Sequence, residues 1–143
     1  MSNNVPDDFL GHVLDALTKY RASADPENAR VLEGYYNSLK FENRENSPVT
    51  NPCILCNIGY LYSEDANYSE ALRYYLEALN FEEKPIPKTY ILCQIGLMYS
   101  HIREFSNAFY HYFKAFDLAK DPVIREDLLY TLRLLLSQMY DSY

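Results

Sequence analysis

Three cysteines are the side chains of this sequence best suited to redox or metal chemistry. Cys53 and Cys56 form a C-x-x-C pair directly after Pro52, and Cys93 follows later in the chain. The pair falls at the predicted start of a helix, where the helix dipole lowers the pKa of a thiol. Disulfide exchange is therefore one possible chemistry, and a metal site is another, although a zinc site would need a fourth ligand.

We interpret the cysteines as structural, with redox and metal roles as the open alternatives. Redox C-x-x-C motifs of the thioredoxin kind follow a strand in a βαβ unit, and no strand is predicted here. The three histidines, His12, His101 and His111, show no ligand spacing. An odd cysteine count without a visible secretory signal is typical of a reducing compartment, where small thiols act as packing residues.

Motifs of known enzyme classes are absent from the sequence. It contains no P-loop, G-x-G-x-x-G, H-E-x-x-H or G-x-S-x-G pattern. The carboxylate pairs at 7–8 and 82–83 fall at predicted helix ends, where charged residues are ordinarily solvated. We therefore expect no catalytic residue, no cofactor and no metal.

Composition and charge favour a single soluble domain that binds other proteins. The chain has 143 residues, of which 48% are hydrophobic and 23% charged, and it contains 15 tyrosines. A net charge of −7 disfavours a nucleic-acid partner, because an acidic surface repels phosphate groups. The longest apolar stretch, 128–136, is interrupted by Thr131 and Arg133, so no integral membrane segment is expected. A peripheral position at a membrane complex stays open.

An internal repeat with an offset of 37 residues organises the second half of the chain. Residues 54–63 (ILCNIGYLYS) correspond to residues 91–100 (ILCQIGLMYS). Seven spaced positions match between the two copies: Leu55, Ile58, Gly59, Tyr62, Ala71, Tyr75 and Ala78 in the first, and Leu92, Ile95, Gly96, Tyr99, Ala108, Tyr112 and Ala115 in the second. This spacing resembles that of the tetratricopeptide (TPR) repeat, whose usual period is about 34 residues.

The resemblance implies an all-α, right-handed TPR solenoid of about seven helices that forms one domain over residues 1–143. Glycine and alanine would let antiparallel helices approach closely, while tyrosine, isoleucine and leucine fill the space between repeats. The domain would comprise a degenerate N-terminal hairpin (6–42), two repeats (52–83 and 87–119) and a capping helix (122–140). Helices are predicted at 6–21, 26–42, 52–65, 68–83, 87–102, 105–119 and 122–140.

The capping helix has its own start signal and its own departure from the repeat. Asp121 and Pro122 form a good N-cap and first helical residue. Arg133 lies 37 residues after Gly96, at the position that holds glycine in the two repeats. We expect the capping helix to need no glycine there, because no partner helix packs after it. Repeat arrays need roughly three units for stability, and two repeats, a hairpin and a cap meet that need.

The first helix of each TPR repeat lines a concave surface, so the register selects candidate partner-binding residues. These residues are uncharged, aromatic or mildly polar, and they suit an extended or helical client segment. The alternative is that some of them only pack beneath the C-terminal helix, which would then fill the groove. The candidates are Cys56, Asn57, Tyr60, Tyr90, Cys93, Gln94, Leu97, Tyr130, Thr131 and Leu134.

One known TPR function is disfavoured by these residues. TPR proteins that clamp the acidic tails of heat-shock chaperones use lysine, arginine and asparagine on the inner helices. The corresponding positions here hold Cys56, Tyr60, Gln94 or Asn57, Tyr90 and Thr131, and none of these is a cation.

A more specific resemblance covers residues 74–97, including YYLEA at 74–78 and YILCQIGL at 90–97. This stretch, with its Pro-containing loop, is similar to the photosystem I assembly TPR proteins of plastids and cyanobacteria. The resemblance implies a chaperone-like assembly factor in the cytoplasm or plastid stroma. The N-terminal 50 residues and the short cap depart from that family. Two alternatives stay open, a type III secretion translocator chaperone and a structural subunit of a larger complex.

Overall fold

The computed structural model describes residues 52–141, and this part of the chain is entirely helical. Its five helices are α1 (Pro52–Glu64), α2 (Tyr68–Phe81), α3 (Pro85–His101), α4 (Phe105–Leu118) and α5 (Pro122–Asp141). Residues 52–141 contain no strand, as predicted. The predicted N-terminal hairpin (6–42) lies outside the described residues.

The observed helix ends differ from the predicted ones by at most two residues. Helix α3 begins at Pro85 instead of residue 87, because the first turn of a helix accommodates proline without losing a hydrogen bond. Helix α2 ends at Phe81 instead of residue 83, because Glu82 has an extended backbone conformation. The loop after α2 (82–84) and the loop after α4 (119–121) are both short.

The 37-residue offset recurs in the backbone of the two hairpin turns. Ala66 and Arg103 are equivalent positions, and both have left-handed backbone, with φ of 59° and 63°. In each turn the residue that follows donates its amide hydrogen to a carbonyl five positions earlier. The amide of Asn67 donates to the carbonyl of Tyr62, and the amide of Glu104 donates to the carbonyl of Tyr99; both N···O distances are 2.9 Å. The repeat predicted from side chains is thus also a repeat of turn geometry.

Each helix packs mainly on its neighbours in the chain, and the contacts are most extensive within the pairs α1–α2 and α3–α4. Two hydrophobic cores result, and α3 contributes to both. In the first core, Tyr74 and Tyr75 of α2 are completely buried beside Leu55 and Ile58 of α1. The second core joins Leu92 of α3 to α4 and α5.

Helix α5 is fastened to the preceding hairpin at its first turn. The Asp121 carboxylate accepts hydrogen bonds from the amides of Val123 (2.8 Å) and Ile124 (3.4 Å), which confirms the predicted N-cap. The Arg125 guanidinium donates to the carbonyls of Phe116 (2.7 Å) and Ala119 (2.9 Å) at the end of α4. These bonds satisfy carbonyls that have no partner within their own helix.

Helix length and composition bear on membrane insertion. Within residues 52–141, no helix combines the length and the apolar content that crossing a membrane requires.

Candidate partner-binding groove

A groove of about 480 Å³ lies between α1 and α3, above α2. We call it the tyrosine groove, because four of its lining residues are tyrosines. The described residues that line it are Tyr60, Ser63, Glu64, Tyr68, Tyr75, Tyr90, Gln94, Leu97, Met98 and His101.

Helical spacing places these side chains on one surface. Ser63 and Glu64 follow Tyr60 by three and four residues along α1, which puts both on the same helix face as Tyr60. The α3 residues recur in the same way from Tyr90 to His101. The groove therefore forms where the equivalent faces of two repeats meet.

The groove has a buried floor and an exposed rim. Tyr75 and Met98 form the floor and are only 1% and 2% exposed. Tyr60 (42%), Tyr90 (53%) and Leu97 (38%) keep large apolar surfaces in contact with water. Large exposed apolar surfaces around a concavity are a common property of protein-binding sites.

Two residues that line the groove form a pair of stacked rings. The Tyr68 and His101 rings are nearly parallel, with an interplanar angle of 4° and centroids 4.1 Å apart. Tyr68 begins α2 and His101 ends α3, so the stack links the two repeats at their shared edge. A similar contact joins Tyr99 to His111 with centroids 5.3 Å apart, between α3 and α4.

Glu64 is the only acidic residue among the described residues that line the tyrosine groove. Neither lysine nor arginine is among its described lining residues. Burial raises the pKa of Tyr90, and proximity to Cys56 and Tyr60 adds to the effect. The phenol therefore stays protonated and can donate a hydrogen bond to a ligand.

The structure brings four of the predicted binding residues together in this groove: Tyr60, Tyr90, Gln94 and Leu97. Cys56, Asn57 and Cys93 lie half-buried on the same two helices without lining the groove. On α5, Tyr130 and Leu134 are exposed and Thr131 is half-buried. None of these three α5 residues lines the groove. Helix α5 therefore does not fill the tyrosine groove, but Cys93 packs against the second core, to which α5 contributes, as the alternative supposes for some candidates.

Six lining residues were missed in the sequence: Ser63, Glu64, Tyr68, Tyr75, Met98 and His101. Ser63, Glu64 and His101 could have been found by extending the inner face of each first helix by one more turn. Tyr68 and Tyr75 belong to α2, the second helix of the repeat, and no pattern of first-helix positions indicates them.

Burial makes two of the cysteines poor nucleophiles. Burial raises the pKa of Cys56 to about 12, with smaller contributions from Cys53 and Glu82. Burial also raises the pKa of Cys93 to about 11. A redox cysteine needs a lowered pKa, because the thiolate is the reactive form. For Cys56 and Cys93, these shifts oppose a redox role and agree with a packing role.

No group of three or more histidine, cysteine or acidic side chains in residues 52–141 is placed to hold a metal ion.

The sequence was compared with known families and proteins. No family model matches it, and neither a curated protein nor a solved structure matches it significantly.

Proposed function

We propose that this protein is a non-enzymatic TPR-type interaction module that holds a segment of a client protein in the tyrosine groove. The observation that supports this most is the rim of Tyr60, Tyr90 and Leu97, which leaves three large apolar side chains 38–53% exposed around a concavity. Tyrosine is well suited to such contacts, because it offers a large rigid ring and a hydrogen-bonding hydroxyl.

The repeated geometry supports assignment to the TPR type. The matched side chains, the equivalent left-handed turn residues at 66 and 103 and the paired helices all follow the same 37-residue offset. Three helices in a row are needed to form the groove, so the array itself creates the binding surface. A right-handed solenoid of seven helices, including the N-terminal hairpin, is part of the proposal.

In its most specific form, the proposal follows the resemblance of residues 74–97 to the photosystem I assembly TPR proteins. The client would then be a photosystem subunit, and the protein would act in the cytoplasm or plastid stroma beside the membrane. A type III secretion translocator chaperone is the alternative that uses the same kind of groove.

A structural subunit of a larger complex is a second candidate, and a separate observation favours it. Helices α4 and α5 carry several large exposed apolar side chains away from the tyrosine groove. They include Tyr110 (54% exposed), Phe113 (52%), Leu129 (38%), Leu136 (51%) and Tyr140 (83%). A subunit bound permanently by neighbours would use this outer surface.

Matched tyrosine variants separate the two candidates. Tyr90 and Tyr110 are almost equally exposed, at 53% and 54%, but only Tyr90 lines the groove. Tagged wild-type, Tyr90→Ala and Tyr110→Ala proteins would be purified from the native source, and their partners quantified by mass spectrometry. A client-binding module should lose a substoichiometric partner with Tyr90→Ala alone. A stoichiometric partner set lost only with Tyr110→Ala would overturn the client-binding proposal.

A further inference from the structure

We infer that the tyrosine groove takes an arginine or lysine side chain of the client segment. This inference rests on the proposed function, because it specifies the chemistry of the segment that the groove holds. The juxtaposition behind it is the Glu64 carboxylate, with no lysine or arginine among the described lining residues, beside the exposed rings of Tyr60 and Tyr90.

Glu64 is available to a ligand. It ends α1 and is exposed, and its carboxylate forms no hydrogen bond or ion pair within the described residues. Among residues 52–141, no lysine or arginine lines the groove and could neutralise this carboxylate. A ligand cation could therefore pair with this carboxylate without displacing an existing partner.

The tyrosine rings provide the second part of a cation site. Tyr60 lies one helical turn before Glu64 on α1, and Tyr90 faces the same groove from α3. Cations bind over the faces of aromatic rings, and arginine does so more often than lysine. The aliphatic part of such a side chain would lie against Leu97 and Met98, which are apolar.

The charge of the whole chain favours the same class of partner. The sequence has 20 acidic and 13 basic residues, a net charge of −7. Such a surface attracts a cationic segment and repels an acidic one. An acidic client, of the kind that chaperone-clamping TPR proteins bind, is therefore disfavoured by the lining and by the overall charge together.

The test uses a display library of random twelve-residue peptides, selected on the full chain. Wild-type protein should enrich peptides that contain an arginine or lysine beside apolar residues. The best peptide is then synthesised with citrulline or norleucine in place of its arginine or lysine. Loss of the charge should weaken binding about tenfold, as expected for one charge-assisted hydrogen bond.

Charge variants locate the site. Glu64→Gln should weaken binding of the best peptide about tenfold and reduce its dependence on salt concentration. Glu126→Gln, which removes the same charge from an exposed position on α5, should leave binding unchanged. Equal losses with the two variants would mean that only overall charge matters, and would overturn the inference.

Other outcomes separate this inference from the proposed function. Enriched peptides that lack a basic residue but lose binding with Tyr90→Ala would overturn the inference and leave the proposed function standing. No enriched peptide at all would overturn both. A dimer in sedimentation experiments that Tyr90→Ala dissociates would mean that a second copy of this chain fills the groove, which would also overturn the inference.

Discussion

The ring of Tyr112 lies directly against Gly96. A Cβ atom on residue 96 would be 2.6 Å from Cδ2 and 2.7 Å from Cε2 of that ring, closer than unbonded carbon atoms can approach. At the equivalent position of the preceding repeat, a Cβ on Gly59 would be 3.2 Å from Cε2 of Tyr75. The same glycine–tyrosine contact therefore joins the two helices of each pair, and it is tighter in the second.

This difference predicts unequal effects of adding one methyl group. Gly96→Ala should lower the free energy of unfolding by about 1–2 kcal/mol, because the steric conflict exceeds the roughly 1 kcal/mol that alanine gains in a helix. Gly59→Ala is the matched control and should change it by less than about 1 kcal/mol. Urea denaturation followed by circular dichroism measures both. A Gly96→Ala protein as stable as the wild type would contradict the contact.

The left-handed turn at Ala66 predicts a stabilising substitution. A residue with a Cβ is disfavoured at the observed φ of 59°, whereas glycine is not. Ala66→Gly should therefore raise the free energy of unfolding by about 0.5–1 kcal/mol, measured by urea denaturation. Ser137→Gly, on an exposed helical position of α5, should instead lower it by about 0.5 kcal/mol. Destabilisation by Ala66→Gly would show that the turn is not left-handed.

Thiol burial predicts the order in which the cysteines are alkylated. At pH 8, a pKa of about 12 leaves Cys56 with about one thiolate in ten thousand molecules. Cys53 is exposed and should react with iodoacetamide first, while Cys56 and Cys93 should react only slowly until the protein is unfolded. Mass spectrometry of timed samples measures this order, and Cys53→Ser should abolish the rapid phase. Equal rates at Cys53 and Cys56 would contradict the burial of Cys56.

Tyr112 predicts a loss of stability at alkaline pH. Burial raises its pKa from 10.0 to about 12, and proximity to Cys93 adds to the rise. The folded protein then holds the proton more tightly than the unfolded chain, so stability falls as pH rises above about 10. Tyr112→Phe should reduce the slope of this fall, as measured by urea denaturation between pH 9 and 11.5. An unchanged slope would mean that other groups cause the alkaline loss.

The Tyr112→Phe experiment needs an exposed control. Tyr110→Phe removes a hydroxyl from the same helix, at a residue that is 54% exposed. It should leave the alkaline slope as in the wild type. If both variants reduced the alkaline slope equally, the slope would depend on the number of tyrosines and not on the burial of Tyr112.

Much of the helical part of the fold could be predicted from spacing. The offset between Gly59 and Gly96 brings the six other matched pairs of the repeat into register, and helix ends follow from local signals such as Asp121 and Pro122. Local signals work here because capping and proline placement depend only on neighbouring residues. Four residues that line the groove could be predicted for the same reason, since they lie on the equivalent faces of two first helices.

The composition of the groove and the burial of individual side chains depend on contacts between helices. The sequence by itself determined the helical pairs of residues 52–119, the period and the acidic, tyrosine-rich composition of the chain. Only the tertiary structure decided that α2 contributes Tyr68 and Tyr75 to the groove, that α5 does not line it, and that burial raises the pKa of Cys56 to about 12. These properties arise from packing between helices, and periodicity within a helix specifies which face packs but not what that face meets.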